Sequence, residues 1–98
     1  MDVDRGNPKR IEKLIINDDD RQAPVLLNPT TGQMLITNPV GKRIVELADG
    51  TRGLEAIAMQ IVSEFRGAQI PEVRQQAEAF LAEGEKKGVV TWTGQSQS

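Results

Sequence analysis

Three segments of the chain repeat apolar residues at the period of an α-helix. The most regular covers residues 54–65, where apolar side chains occupy positions i, i+3, i+4, i+7, i+8 and i+11. Residues 39–48 follow the same period after an Asn-Pro pair, which is typical of a helix start. A third helix is predicted from Ile70-Pro71 to a closing Lys-Lys-Gly at residues 86–88, because its charges suit the helix dipole.

The first half of the chain instead places short apolar runs between turn residues. Residues 9–16 suit a first strand near a sheet edge, and residues 24–27 and 33–36 suit the two strands of a hairpin. Residues 89–92 predict a short strand or a tail that packs onto the core. The order predicts an α+β, winged-helix-like fold, with a small three-stranded antiparallel sheet followed by three helices.

Both ends of the chain lack periodicity. Residues 1–8 are polar and predict a flexible arm, and residues 93–98 predict a disordered tail. The 98 residues are enough for one compact domain with a small core, which we expect over residues 9–92.

The composition argues against an enzyme. The chain has no histidine, cysteine or tyrosine, so it lacks the usual general base, thiolate nucleophile and phenolic acid. The same absence excludes zinc and iron–sulfur sites held by imidazole or thiolate, and no cofactor is expected. The run Asn-Asp-Asp-Asp at residues 17–20 lacks the alternate spacing, glycine and closing glutamate of a calcium loop, so it predicts a solvated connection.

Charge and hydropathy argue against a nucleic-acid-binding protein and against a secreted or membrane-spanning one. The net charge is −2, with both signs scattered along the chain, so there is no basic footprint for generic nucleic-acid binding. The charged N-terminus lacks the apolar run of a signal peptide, and no segment approaches the roughly 20 apolar residues that span a bilayer. We therefore expect a cytoplasmic protein.

Several short runs, taken in order, are similar to those of a known family. They are Val25-Leu26-Leu27-Asn28-Pro29, Leu35-Ile36-Thr37-Asn38, Ile44-Val45-Glu46-Leu47-Ala48-Asp49-Gly50, Glu55-Ala56-Ile57-Ala58, Phe80-Leu81 and Gly88-Val89-Val90. This pattern resembles the PqqD family, the stand-alone form of the precursor-peptide recognition element found in pathways that modify ribosomally made peptides. The resemblance covers about residues 9–90.

The resemblance implies a peptide-binding protein with no catalysis of its own. Such proteins hold the leader of a precursor peptide and present the precursor to a maturation enzyme, in the namesake case a radical S-adenosylmethionine enzyme of pyrroloquinoline quinone biosynthesis. The leader adds as a strand to the exposed edge of strand three and lies against helix three. Main-chain hydrogen bonds supply affinity in this mode, and side-chain pockets supply specificity.

Carried onto this sequence, the resemblance implies two sets of binding residues. The edge is formed by Gln33, Met34, Leu35, Ile36 and Thr37, and the groove wall by Arg74, Ala77, Glu78, Leu81, Gly84 and Lys86. Gly84 stands where the family usually has a leucine, and it indicates either close helix packing or room for a ligand. Arg74 and Lys86 either pair with acidic leader residues or contact only solvent.

Three alternatives stay open. The element order also fits a DNA-binding winged helix, although the predicted third helix carries four glutamates, which disfavour a phosphate backbone. An adaptor that docks only onto a partner enzyme would use the same apolar edge. The edge is also open to a second copy, which would give a homodimer by edge pairing or by exchange of the hairpin.

Overall fold

The computed structural model describes residues 6–94, whose strands form two sheets beside three helices. The elements are β1 (Pro8–Arg10), β2 (Ile15–Asn17), β3 (Val25–Leu27), β4 (Met34–Ile36), α1 (Pro39–Leu47), α2 (Leu54–Glu64), α3 (Ile70–Lys86) and β5 (Val90–Trp92). The predicted α+β, winged-helix-like architecture is confirmed, because a three-stranded antiparallel sheet precedes the three helices.

The larger sheet has the strand order β2-β3-β4, with every neighbouring pair antiparallel. In its middle row Ile16 faces Leu26, and Leu26 faces Leu35. This row points toward the helices, and Leu26 is completely buried there. Since β3 lies between its neighbours, the free edges of this sheet belong to β2 and β4.

The single first strand predicted over residues 9–16 is wrong, because two strands occupy this segment. A turn at the Glu-Lys pair separates them, closed by a hydrogen bond of 3.3 Å from Leu14 N to Ile11 O. β2 stays in the larger sheet, whereas β1 pairs with β5 in a second, two-stranded sheet. The open choice for residues 89–92 is thereby resolved in favour of a strand.

The chain ends were predicted as an arm and a tail. Pro8 is buried within β1, and Thr93 N donates to Asn7 O over 2.8 Å, so both ends of the described chain are tied to the second sheet. The rest of the predicted arm and tail, residues 1–5 and 95–98, lies outside the described residues.

The helices begin and end close to the predicted positions. Asn38 caps α1, with its Oδ1 accepting a hydrogen bond of 2.8 Å from Gly41 N, and Pro39 follows at the first helical position. After α1 the chain reverses at Gly50, which has φ +91°. Within residues 6–94 no helix is long and apolar enough to cross a membrane.

The core lies where the helices meet the inner face of the larger sheet. The buried stripe of α3 crosses that of α2, and β5 closes the core from the far side. The residues with no measurable exposure are Leu26, Val45, Ala48, Ile57, Ala58, Ile61, Ala77, Leu81 and Val89. Aliphatic side chains therefore supply most of the packing in the described residues.

Candidate functional site

The outer edge of β4 carries main-chain groups that no other strand pairs with in residues 6–94. Hydrogen bonds from Thr37 N to Pro24 O and from Asn28 N to Gln33 O fix which β4 residues turn toward β3. Because antiparallel partners alternate, the residues between them, Met34 and Ile36, direct N–H and C=O away from β3. Neither β5 nor the described part of the tail covers this row, since β5 pairs with β1.

The start of β4 is clamped to the end of α3 by Asn28. Asn28 is 8% exposed, and its Nδ2 donates to Gly88 O over 2.8 Å. Its Oδ1 accepts from Thr30 N at 2.9 Å and from Thr31 N at 3.3 Å, which shapes the turn that leads into β4. One amide therefore holds the β3–β4 turn against the junction of α3 and β5.

Just beyond the other end of β4, an open cleft lies between the start of α1 and the middle of α3. We call it the edge cleft; its volume is about 420 Å³, and its lining residues are Thr37, Asn38, Val40, Gly41, Ile44, Gln76 and Phe80. Phe80 and Ile44 give it an apolar floor, while Thr37 and Gln76 supply polar groups. This mixture suits an amphipathic side chain held beside an added strand.

Gly41 allows the first turn of α1 to lie close to Phe80. A Cβ at this position would collide with Thr37 Oγ1 and would lie 3.1 Å from Phe80 Cε1. The glycine is buried and has no positive φ, so close approach explains it rather than backbone strain.

The structure divides the predicted groove wall on α3 into two groups, and the first group is buried. Ala77 and Leu81 have no exposed surface and belong to the core. At Gly84 a Cβ would lie 3.1 Å from Val90 Cγ2 and 3.3 Å from Val89 Cγ2. Close packing against these valines therefore accounts for the glycine, and no room is left there for a ligand.

The second group lies away from β4. Arg74 Nε contacts Glu55 Oε1 of α2 at 2.7 Å, so this flank of α3 faces α2. Glu78 is one helical turn further along the same flank and is exposed, as is Lys86. None of these three lines the edge cleft.

Gln76 and Phe80 form the actual wall of the edge cleft, and the sequence analysis did not assign them to it. They are separated by four residues, so they stand above one another on one flank of α3. Two residues along a helix turn a side chain by about 200°, which places Gln76 on the opposite flank from Arg74. The apolar period could identify Phe80 as near the core, but not which flank of α3 faces β4.

The outer face of the larger sheet is aliphatic rather than polar. Cross-strand neighbours share a face, so Ile15, Leu27 and Met34 form one row, and Val25, Ile36 and the polar Asn17 form the next. Ile15 is 47% exposed, Met34 57% and Ile36 68%. A solvated antiparallel sheet usually turns polar residues outward, so this apolar face is a candidate contact surface.

Ion pairs fix α1, whose first turn borders the edge cleft. Arg43 Nε and Nη2 each contact a Glu64 carboxylate oxygen at 2.8 Å, and this pairing lowers the pKa of Glu64 to about 2. Lys42 Nζ lies 2.8 Å from Asp18 Oδ2, which lowers the pKa of that carboxyl. The first aspartate of the acidic run thus joins the β2–β3 connection to α1.

Comparison with known proteins settles the family. The sequence profile described as Coenzyme PQQ synthesis protein D (PqqD) matches residues 24–90, more than half of the chain. The chain belongs to the PqqD family. The matched range contains β4 and α3, the elements that border the edge cleft.

Two solved structures share the fold of this family member. One is TbiB1 in complex with the TbiA(beta) leader peptide, with 25% sequence identity, a TM-score of 0.67 and coverage of 91% of this chain and 99% of that chain. The other is a lasso peptide synthetase B1 complexed with the leader peptide, with 15% identity, a TM-score of 0.67 and coverage of 86% and 96%. No curated protein matches the sequence.

Proposed function

We propose that this PqqD-family chain binds the leader of a ribosomally made precursor peptide by strand addition at the outer edge of β4. The unpaired row at Met34 and Ile36 beside the edge cleft carries the proposal. TbiB1, which is 25% identical over almost the whole chain, was solved with a leader peptide bound. The chain would act without catalysis and without a cofactor, in the cytoplasm where precursors are synthesised.

Main-chain bonds alone are too few to give useful affinity. Met34 and Ile36 offer two N–H and two C=O groups, and at about 1 kcal/mol net for each hydrogen bond they supply about 4 kcal/mol. Micromolar affinity requires about 8 kcal/mol. Leader side chains must therefore supply the rest, and the edge cleft between Thr37 and Phe80 is where the first of them would lie.

Our proposal assigns the predicted residues different parts. Met34 and Ile36 would donate to and accept from the leader, while Gln33, Leu35 and Thr37 hold β4 in place by bonding to β3. We propose Gln76 and Phe80 as the groove wall, in place of the predicted α3 residues. Those are Arg74, Ala77, Glu78, Leu81, Gly84 and Lys86.

The test is an amide-shift titration of the full chain with synthetic peptides tiled across the small open reading frames beside its gene. We expect the amides of Met34 and Ile36 to shift most, because only their N–H groups gain a partner. Ile16 serves as an internal control, since its N–H points outward from β2 at the opposite edge of the sheet.

Ile36→Pro removes one outward donor worth about 1 kcal/mol and should weaken binding about fivefold or more, whereas Ile36→Ala keeps the donor and should retain most of the affinity. Far-UV circular dichroism checks that both variants keep their helices. Shifts confined to Ile16, or an affinity left unchanged by Ile36→Pro, would contradict strand addition at β4.

We further propose that the aliphatic outer face of the sheet docks the maturation enzyme, a radical S-adenosylmethionine enzyme as in the family's namesake pathway. This face is continuous with the β4 edge, because Met34 and Ile36 contribute to both. Ile15 lies two strands away from the edge, so Ile15→Glu should weaken enzyme association without changing peptide affinity. Lys13→Glu is the control, and equal effects of the two variants would contradict the assignment.

A second copy of the chain is the competing occupant of the same edge. If two β4 edges pair in a homodimer, a bound leader must displace one of them. Sedimentation with and without peptide measures this competition, and we expect any dimer to dissociate as peptide is added.

A further inference from the structure

A second cleft continues the groove along α3 beyond the end of β4. This distal cleft has a volume of about 330 Å³, and it shares Val40 and Gln76 with the edge cleft. It ends at the connection between α2 and α3, where Ala68 and Gln69 form its border. The two clefts together make one groove that is longer than β4 itself.

The length of the added part matches a short extended peptide. From Phe80 to Gln69 the wall spans eleven residues of α3 and its cap, about 17 Å at 1.5 Å per residue. An extended peptide covers this distance with about five residues. A leader held on β4 would therefore need about five further residues along α3 to reach the distal cleft.

The chemistry of the distal cleft is that of a pocket for one large apolar side chain. Its floor consists of Val40, Phe65 and the buried residues Ile61 and Val73. The charged residues of the lining are Arg66 and Glu72, which are both exposed and make no ion pair within residues 6–94. A cleft with an apolar floor and a polar rim fits an aromatic or long aliphatic side chain.

We infer that the distal cleft is a second specificity site, which binds a large apolar residue of the same peptide about five residues away from the segment paired with β4. The inference rests on the proposed function, and the distal cleft would supply the sequence selectivity that β4 lacks. A three-residue edge offers few main-chain bonds, and these cannot distinguish one sequence from another. Two side-chain pockets at a fixed separation can.

The experiment sorts a displayed library of random 14-residue peptides against the full chain and its variants. Ala68→Leu fills the distal cleft without removing a core contact, and Gln69→Phe does so from the opposite side of the border. Gln69 makes no side-chain capping bond to α3, so its loss costs little. Ala82→Leu is the matched control, because Ala82 is exposed and lies outside both clefts.

Against the unmodified chain, we expect enriched peptides to carry a strand-forming segment and a large apolar residue about five positions away. Filling the cleft should reduce enrichment of that residue about tenfold or more, the effect of losing one buried apolar side chain. The control should leave enrichment unchanged.

Three outcomes separate the claims. If the enriched peptides require the Ile36 N–H but show no preferred residue about five positions away, the distal site is refuted and strand addition is not. Unchanged enrichment on both Ala68→Leu and Gln69→Phe would do the same. Failure of any peptide to enrich, or enrichment unaffected by Ile36→Pro, would overturn the proposed function and this inference together.

Discussion

Replacing Asn28 by alanine tests the clamp that holds β4 beside α3. The side chain makes three hydrogen bonds, to Gly88 O and from Thr30 N and Thr31 N, and it is 8% exposed. At about 1 kcal/mol net for each bond, Asn28→Ala should lower the free energy of unfolding by about 2–3 kcal/mol. For a domain of this size, that loss should lower the melting temperature by about 10 °C or more.

Urea unfolding monitored by tryptophan fluorescence is the direct assay, because Trp92 is the chain's one tryptophan and is buried in the described structure. Asn28→Asp keeps the two acceptor bonds of the turn but replaces the donor to Gly88 O by a carboxylate oxygen, which the Gly88 carbonyl repels, so it should also lower the free energy of unfolding. Asn17→Ala is the matched control, since Asn17 is exposed and accepts one bond, from Asp19 N.

The reasoning fails if Asn28→Ala costs no more than Asn17→Ala. It also fails if Asn28→Asp is as stable as the unmodified chain, because the bond to the α3–β5 junction would then contribute nothing. A change in the urea dependence of the free energy would instead indicate altered compactness of the unfolded or native state.

Three further predictions concern other elements. Asn38→Ala removes the cap of α1 and should lower the free energy of unfolding by about 1 kcal/mol, measured in urea. Gly84→Leu should cost about 2 kcal/mol in the same assay, because its side chain would overlap Val90, and a neutral result would contradict close packing. Arg43 lowers the pKa of Glu64 from 4.5 to about 2. The stability that this ion pair contributes is therefore present above pH 4.5 and is lost as the pH falls toward 2. In Glu64→Gln the midpoint of urea unfolding should depend less on pH across this window.

Features that depend on neighbouring residues were predictable from the sequence. The apolar period of residues 54–65 identified α2 to within one residue, and the Asn-Pro pair identified the start and the cap of α1. The turn before β4 was predictable because Gly32, with φ +79°, supplies a conformation that few other residues adopt. Each of these signals acts within a few residues of the element it defines.

The second sheet was not predictable in the same way. β1 and β5 lie at opposite ends of the chain, and their pairing matches Lys9 with Thr91. Nothing in a three-residue segment such as Pro8–Arg10 specifies a partner so far away, and its alternation joined smoothly onto that of β2. β1 separates from β2 because it pairs with β5, whose residues Val90 and Trp92 are buried in the core.

The choice of groove wall on α3 depends on more than the apolar period. Helical periodicity defines a stripe of core positions on α3, and every groove residue must lie on one of the two flanks of that stripe. Arg74 and Gln76 are both polar, so neither marks its flank as the ligand-facing one, and the direction in which α3 crosses α2 decides which of them faces β4. That direction depends on how side chains of the two helices interdigitate, a property of the folded core. Under the proposed function, a domain of this kind keeps its strand edge recognisable in sequence, while the residues that would select the ligand are defined by the packing beneath them.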